Sequence, residues 1–578
     1  MRFLYIGKPM SSLTRRTLLT GLASSSIALT PCASGLFGGT NSESSRESTT
    51  FLEITRPPDS VTAFLGLDQP LRLNRAGERW EAKGIRVRSA VEQDGVAIYV
   101  SASGLHPTHI HCRWRVAVPL GLLVSGDHWE RSYGDLHWSC LVPERAMPWY
   151  FLTHDSRALH GYGVKTGSGS LCFWQIDAEG VSLWLNVSNG GSGVELGDRE
   201  LHAATIVAHR GKRDDNPMAV ATMFCRKMCS APRLATSKIY GSNDWYYAYG
   251  KNSAEGIIRD AELMSSLAPA KGGRPFTIID DGWQNKSAFP DMPVLAAAIR
   301  QRGVRPGLWI RPLSASAGTS SNLLLPEERF GARTSRRQDR AYDTTVPEAL
   351  ESALSKVREA ISWGYELIKH DYTTFDLLGQ WGFEMKAQPA LPGWNFHDRS
   401  RTTAEIIREL YAKIRQAAGE RTILIGCNTI GHLSAGIFEV QRTGDDTSGR
   451  NWERTRRMGV NTIAFRLPQH RTFFLLDADC VPITAAIPWS CSKQWLDLIA
   501  RTGTVLLVSP EPAAVKDEQQ QALRDAFQMF VSADGHAYPL DWQSTTTPEH
   551  WKFEKGNGNN HKKKYDWYQD SGAWPYDV

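Results

Sequence analysis

Residues 365–376 read YELIKHDYTTFD. A mostly apolar strand that runs into Lys369, His370 and Asp371 presents a cation, an imidazole and a carboxylate in a row. Side chains alternate faces along a strand, so Lys369 and Asp371 share one face and His370 takes the other. A carboxylate beside a cation stays ionised, as a carboxylate nucleophile must. Other strand-like runs end in similar groups. GSNDW supplies Asp244 and Trp245, DDGWQ supplies Asp280, Asp281 and Trp283, and LWIR supplies Trp309 and Arg311. Then come Cys427 and Asn428, QRTGDD with Arg442, Asp445 and Asp446, and DADC with Asp479. Carboxylates hold hydroxyls and an indole stacks on a C–H face, so acids with Trp suit a polyhydroxylated ring. Cleaving a glycosidic bond takes two carboxyls, one attacking or stabilising C1 and one giving a proton. A single Asp after a strand is more often a turn former or helix cap. A whole series of such ends is not explained that way, because Thr occupies the caps that can be recognised.

Such a constellation requires strands that deliver side chains to one end. After about residue 235 apolar strands alternate with amphipathic helices. Strand candidates lie near 238–242, 276–279, 305–310, 365–369, 422–426, 437–441, 473–476 and 503–508. The helix TVPEALESALSKVREAISWG opens with Thr345 and Glu348 at capping-box spacing, and TTAEIIRELYAKIRQAAG repeats the scheme with Thr402, Glu405 and Gly419. A last helix, DEQQQALRDAFQMFVS, ends near 532. This pattern predicts a (β/α)8 TIM barrel over 233–532, whose functional groups sit at the C-terminal strand ends. The link CNTIGHLSAG between the fifth and sixth strands is too short for a full helix. Ahead of the barrel, short alternating runs over 51–232 predict an all-β sandwich. Residues 533–578 form a short polar and aromatic segment, in which HKKKY reads as a solvated loop.

The chain has 578 residues, 41% apolar and 22% charged, with a net charge of +5. That is a globular, multidomain composition without a basic run of the kind nucleic acid requires. Residues 1–32 read as a twin-arginine signal: Arg15-Arg16 precede a short apolar run that is too short to span a bilayer. Export to the periplasm or beyond is the expectation, with Cys32 a candidate lipid anchor and 33–50 a flexible Gly/Ser-rich linker. Eight further cysteines show no compact disulfide framework, and Cys225 with Cys229 reads as a buried thiol pair or a disulfide. His370, Asp371 and Asp280 are a mixed set of metal-ligand types, but no His-rich spacing supports a metal site. No glycine-rich loop cradles a phosphate, so no organic cofactor is implied. Oligomeric state is left open.

DDGWQ, IKHD and RTGDD, in that order and at those strand ends, resemble the melibiase-type α-galactosidases of glycoside hydrolase families 36 and 27. The resemblance covers roughly 238–510, and a preceding β-sandwich fits the family 36 arrangement. It implies Asp371 as nucleophile, Lys369 as a sugar-binding lysine, and Asp280 and Asp281 on ring hydroxyls. It places the acid/base four residues after Arg442, at Asp446, with the adjacent Asp445 as the alternative. DADC resembles an Asp-Pro-Asp segment that sets Asp479 beside Arg442. Asp244, Trp245, Trp283, Trp309, Cys427 and Asn428 complete the expected substrate-binding set. The stretch from Cys427 to His432 departs from both families where the sugar's 2-position is read, and Gly431 leaves room for an N-acetyl group. The implied activity is a retaining, exo-acting α-glycosidase on terminal α-galactose. Alternatives are an α-N-acetylgalactosaminidase, a transglycosidase and a catalytically silent glycan-binding protein.

Overall fold

Two antiparallel sheets, of six and eight strands, build the N-terminal part of the protein. The computed structural model describes residues 51–333, 339–554, 560–570 and 572–574. The signal, Cys32 and the linker lie outside the described residues. Sequence alternation becomes alternating burial. In Ile85–Glu92, Ile85, Val87 and Ser89 are buried while Arg86 is exposed. Trp80, Trp114, Trp174, Ile98 and Phe151 belong to the core this creates. The region is not all-β, however. Pro217–Met228 is a helix, with Pro at its first position and the Asn216 side chain accepting from Ala219 N at 3.0 Å. Its buried residues, Met218, Ala221, Phe224, Cys225 and Met228, recur at helical spacing. Phe224 lies over Gly161 and Gly163 of the strand Leu159–Val164, and a Cβ on Gly161 would come within 2.4 Å of its ring.

A curled parallel sheet follows. Its strands, in spatial order, are Leu475–Asp477, Val440–Arg442, Ile423–Gly426, Leu367–His370, Arg305–Ile310, Phe276–Ile279, Tyr240–Asn243, Leu506–Pro510 and Val481–Ile483. The first in sequence, Tyr240–Asn243, pairs with both the second and the last. Nine strands appear instead of eight because the seventh is broken. Leu475–Asp477 pairs with the sixth strand and Val481–Ile483 with Leu506–Pro510. Asp479, between the pieces, has φ 78°, a left-handed conformation that is strained for a residue with a Cβ. Across this break a backbone hydrogen bond runs from Val505 N to Leu476 O at 2.9 Å.

The helices follow the sequence signals with one exception. Thr402 and Glu405 form a capping box on Thr403–Ala418, and Gly419 ends that helix. Thr345 caps nothing: the helix Pro347–Ser362 starts after Val346, and the Thr345 hydroxyl donates to Asp343 Oδ1 at 2.7 Å. The link between the fifth and sixth strands holds only the four-residue helix Gly431–Ser434. The last helix is Asp517–Ser532. Beyond it, His536–Pro539, His550–Glu554 and Asn560–Lys564 form an antiparallel sheet anchored by buried Trp551, Tyr565 and Trp567. HKKKY is therefore mostly strand, not loop: Lys563 pairs with Asp497 at 2.7 Å and the Tyr565 hydroxyl donates to the same carboxylate. Cys225 and Cys229 are buried free thiols, as are all the described cysteines except the exposed Cys140, also a free thiol. No helix among the described residues is long and apolar enough to cross a membrane.

Candidate active site

The interior of the parallel sheet is a filled apolar layer that includes Ile278, Leu367, Ile425, Val440 and Leu507. Side chains two positions further along each strand point the same way. Those positions are Asp280, Lys369, Cys427, Arg442 and Ser509, so the layer above the core is polar. All five are buried. Burial makes each charge costly unless paired, and the pairs are present. Lys369 Nζ donates to Asp280 Oδ2 at 2.7 Å. Asn243, at the end of the first strand, donates to the same oxygen at 2.7 Å. Burial works against the Lys369 ammonium, yet Asp280 carries its pKa well above the usual lysine value.

Asp371 sits one alternation above Lys369. Its Oδ2 accepts from Trp309 Nε1 at 3.2 Å and its Oδ1 from Tyr372 N at 2.6 Å. Tyr372 reaches that geometry with φ 64°, so the backbone directly after the carboxylate is strained into place. His370 faces the other way. Its Nδ1 lies 3.2 Å from Thr373 Oγ1 and its ring packs edge-on against Phe438 at 4.8 Å. The mixed metal set of His370, Asp371 and Asp280 is therefore not assembled. Among the described residues no group of three or more His, Cys, Asp or Glu is placed to hold a metal ion.

The second carboxylate comes from the loop after the sixth strand. Asp446 Oδ1 accepts from Arg442 Nη2 at 2.9 Å and from Arg131 Nη1 at 3.3 Å. Asp446 is half-exposed, and among the described residues its Oδ2 has no donor. Burial alone would push its pKa up, but Arg442, Arg131, Lys369 and Arg454 outweigh it and hold the pKa at about 2. A like charge on the adjacent Asp445 would push the same way as burial, but it does not prevail. Asp445 is buried and locked between Arg131 at 3.3 Å and Arg454 at 2.6 Å, and its charge is spent on those partners. Asp371, Asp446 and Asp281 all act on the Tyr372 hydroxyl, whose pKa is raised first by burial and then by these charges. All three carboxylates thus lie within charge-interaction range of one phenol beyond the strand ends, and the space around it is the candidate site.

Arg131 belongs to the N-terminal sandwich, 315 positions before Asp446. Its loop is sewn to the sixth strand's end. Ser132 N donates to Thr443 O at 2.9 Å and Asp445 N to Ser132 O at 2.8 Å. Arg466 ties Asp127 at 2.6 Å and also donates to the Glu130 carbonyl. Buried Glu130 accepts from Gly382 N at 2.8 Å and from the Asn428 amide. Sequence reading missed Arg131 and Glu130, since WERS carries no local chemical pattern.

The remaining expected site residues fall into two groups. Asp281 is half-buried at the rim, with Gly282 N and Gln284 Nε2 on its Oδ1, and burial and then Asp280 raise its pKa. Trp309 lies at the space through its contact with Asp371, and Trp283 Nε1 donates to Trp309 O at 2.8 Å from the flank. Others are occupied by the protein itself. Both Asp244 oxygens are engaged, by Asp280 N and Asn252 Nδ2 at 2.7 Å each, and burial lifts its pKa to about 7. Asn428 accepts from Phe375 N at 3.0 Å while donating to Glu130. Cys427 lies under Arg442, whose Nη1 is 3.9 Å from its sulfur. Trp245 starts a short helix and packs on Tyr249, 5.7 Å between centroids. Asp479 Oδ2 gathers Arg442 at 2.7 Å, Thr447 N at 2.8 Å and the Tyr246 hydroxyl. It buttresses Arg442 from behind. A Cβ on Gly431 would touch Phe474 and Gln441 at 3.4 and 3.5 Å.

No family model matches the sequence. Solved structures do match. The α-galactosidase TtGalA from Thermus thermophilus, in complex with p-nitrophenyl α-D-galactopyranoside, superposes with a TM-score of 0.56 at 18% identity, over 88% of this chain and 99% of that one. The fold is similar to that of the α-galactosidases. The family 36 α-galactosidase AgaA from Geobacillus stearothermophilus gives a TM-score of 0.54 at 11% identity, over 86% of this chain and 77% of that one. The galactosidase domain of AgaSK gives 0.51 at 12% identity. In this α-galactosidase-like fold the sandwich and the parallel sheet belong to one compact unit, Thr49–Val578.

Proposed function

We propose that the chain is a retaining, exo-acting α-glycosidase that releases terminal α-galactose, working on a (β/α)8-type barrel of the family 36 kind. The observation that carries this reading is the pairing of two differently held carboxylates over a buried Lys369–Asp280 pair. Asp371 has its oxygens oriented by Trp309 and Tyr372, whereas Asp446 offers one oxygen to the space and anchors the other on two arginines. Asp371 attacks C1 and forms a glycosyl–aspartate; Asp446 protonates the leaving oxygen and then deprotonates the water that hydrolyses the intermediate. Lys369 and Asp280 present a donor and an acceptor to ring hydroxyls at the floor, and the Trp309 indole bounds one side. That the α-galactosidases of similar fold were crystallised with galactosides supports the choice of sugar.

Hydrolysis of an aryl α-galactoside tests the proposal, with the product anomer followed by NMR. Asp371→Asn is expected to lose about 10³-fold or more in kcat while still binding galactose. Near-wild-type turnover in that variant, or no turnover of any aryl α-glycoside by the wild type, would refute it. Asp446→Ala with azide is expected to yield a glycosyl azide of retained configuration. The same rescue of Asp445→Ala would move the acid/base role to Asp445.

A further inference from the structure

The carboxylates lie beyond the C-terminal ends of the parallel strands, and a separate cavity of about 570 Å³ opens near their N-terminal ends. Three cations reach it from three different elements. Arg226 comes from the last turn of the helix Pro217–Met228, Lys238 from just before the first strand, and Arg471 from the turn before the seventh. Asp534 is the one carboxylate in the lining. Among the described residues, neither the Arg226 nor the Arg471 guanidinium has an ion-pair or side-chain hydrogen-bond partner, and Arg471 is held at φ 62°. Lys238 donates to Ala533 O at 2.8 Å, and its ammonium also lies over the Phe530 ring at 5.0 Å. Burial and then Arg471 lower its pKa, against the pull of Asp534. His470 adds no charge: its Nδ1 accepts from Leu476 N at 3.1 Å, and burial takes its pKa to about 3. Exposed His536 lies on the Asp534 wall. Met223, Leu234 and Leu467 give the lining an apolar wall, and Thr222 and Thr502 add hydroxyls.

Excess positive charge around a concave space of ligand size is a feature that an anion relieves. Guanidinium forks match carboxylate and phosphate oxygens in pairs. We propose that this cavity binds a small amphipathic anion, a phosphate or carboxylate carried on a short apolar body, at a site separate from the sugar-cleaving one. The apolar wall discriminates such a molecule from a bare ion.

The probe is octyl phosphate, titrated calorimetrically into the full chain at low salt, with octyl glucoside as the neutral control. Saturable binding of octyl phosphate is expected, weakened about tenfold or more in Arg471→Gln and in Arg226→Gln. Arg226 is exposed on a helix end, so its variant folds whatever the fate of Arg471→Gln; far-UV circular dichroism checks both. Equal binding of octyl glucoside, binding unchanged in both variants, or no saturable binding of octyl phosphate would overturn the proposal. Sedimentation with phosphatidylglycerol vesicles separates the sources. Retention that the variants abolish identifies a lipid headgroup, and octyl phosphate binding without retention identifies a free ligand. Either outcome supports the anion site.

Discussion

In the mechanism we propose, Asp446 carries conflicting demands. A general acid has to hold a proton when the substrate arrives, yet Arg442 and Arg131 keep this carboxyl at about pH 2 in the unliganded chain. Under that mechanism it would be poised as the base of the second step, and would act as acid only as the pH falls or as the bound substrate weakens the arginine contacts. Removing Arg131 removes a charge that lowers the pKa, so in Arg131→Gln the pKa rises. The alkaline limb of kcat/KM for an alkyl galactoside, which needs protonation, is expected to move up by about one pH unit. The limb for a nitrophenyl galactoside moves less, because its leaving group needs less help. A pH profile on both substrates measures this, and a lowered kcat with both limbs unmoved would reduce Arg131 to a structural part. Lys369 and Asp371 were legible in sequence because one short strand displays both and alternation gives their faces. Arg131 was not, because its partner is 315 positions away.

At the scale of elements, periodicity located the strands of the parallel sheet closely, and the Thr402–Glu405 capping box sits as read. It failed where two signals compete. Thr345 has capping-box spacing, but Pro347 fixes the helix start at itself and leaves Thr345 to Asp343. The helix Pro217–Met228 was hidden in a run of strands, although its buried positions have helical spacing. That helix is seated by the absence of a side chain at Gly161, where Phe224 occupies the place of a Cβ. Gly161→Ala is expected to cost about 1–3 kcal/mol through overpacking, read as a lower midpoint in urea with little change in kcat. The break in the seventh strand left no mark in sequence, since DADC reads equally well as a turn after an intact strand.

On the scale of the whole molecule, the antiparallel part is built into the candidate site and is not an appendage. Glu130 and Arg131 reach Asn428, Asp445 and Asp446 from it, so the parallel sheet alone lacks the groups that hold the Asp445–Asp446 loop. A chain of residues 233–578 is therefore expected to show no hydrolysis of an aryl galactoside, and to leave Asp445 buried with half its compensation. Expression of that fragment beside the full chain, with activity and solubility compared, checks this. The change from antiparallel to parallel strands was legible from the change in hydrophobic rhythm near residue 235, but the stitching between the two parts was not, because it joins groups such as Arg131 and Asp446 that lie 315 positions apart. The broken seventh strand has a consequence for how the protein comes apart. Its two pieces pair with different neighbours, and at the seam the sheet has no regular ladder to hold it. Such a place opens at low free energy, well below global unfolding. Asp479 lies in that gap and Arg442 leans on it. Local melting of a few residues there would free Arg442 and with it Asp446 while the sheet stays intact, so, if the proposed function holds, mild denaturant should silence this protein before it unfolds it.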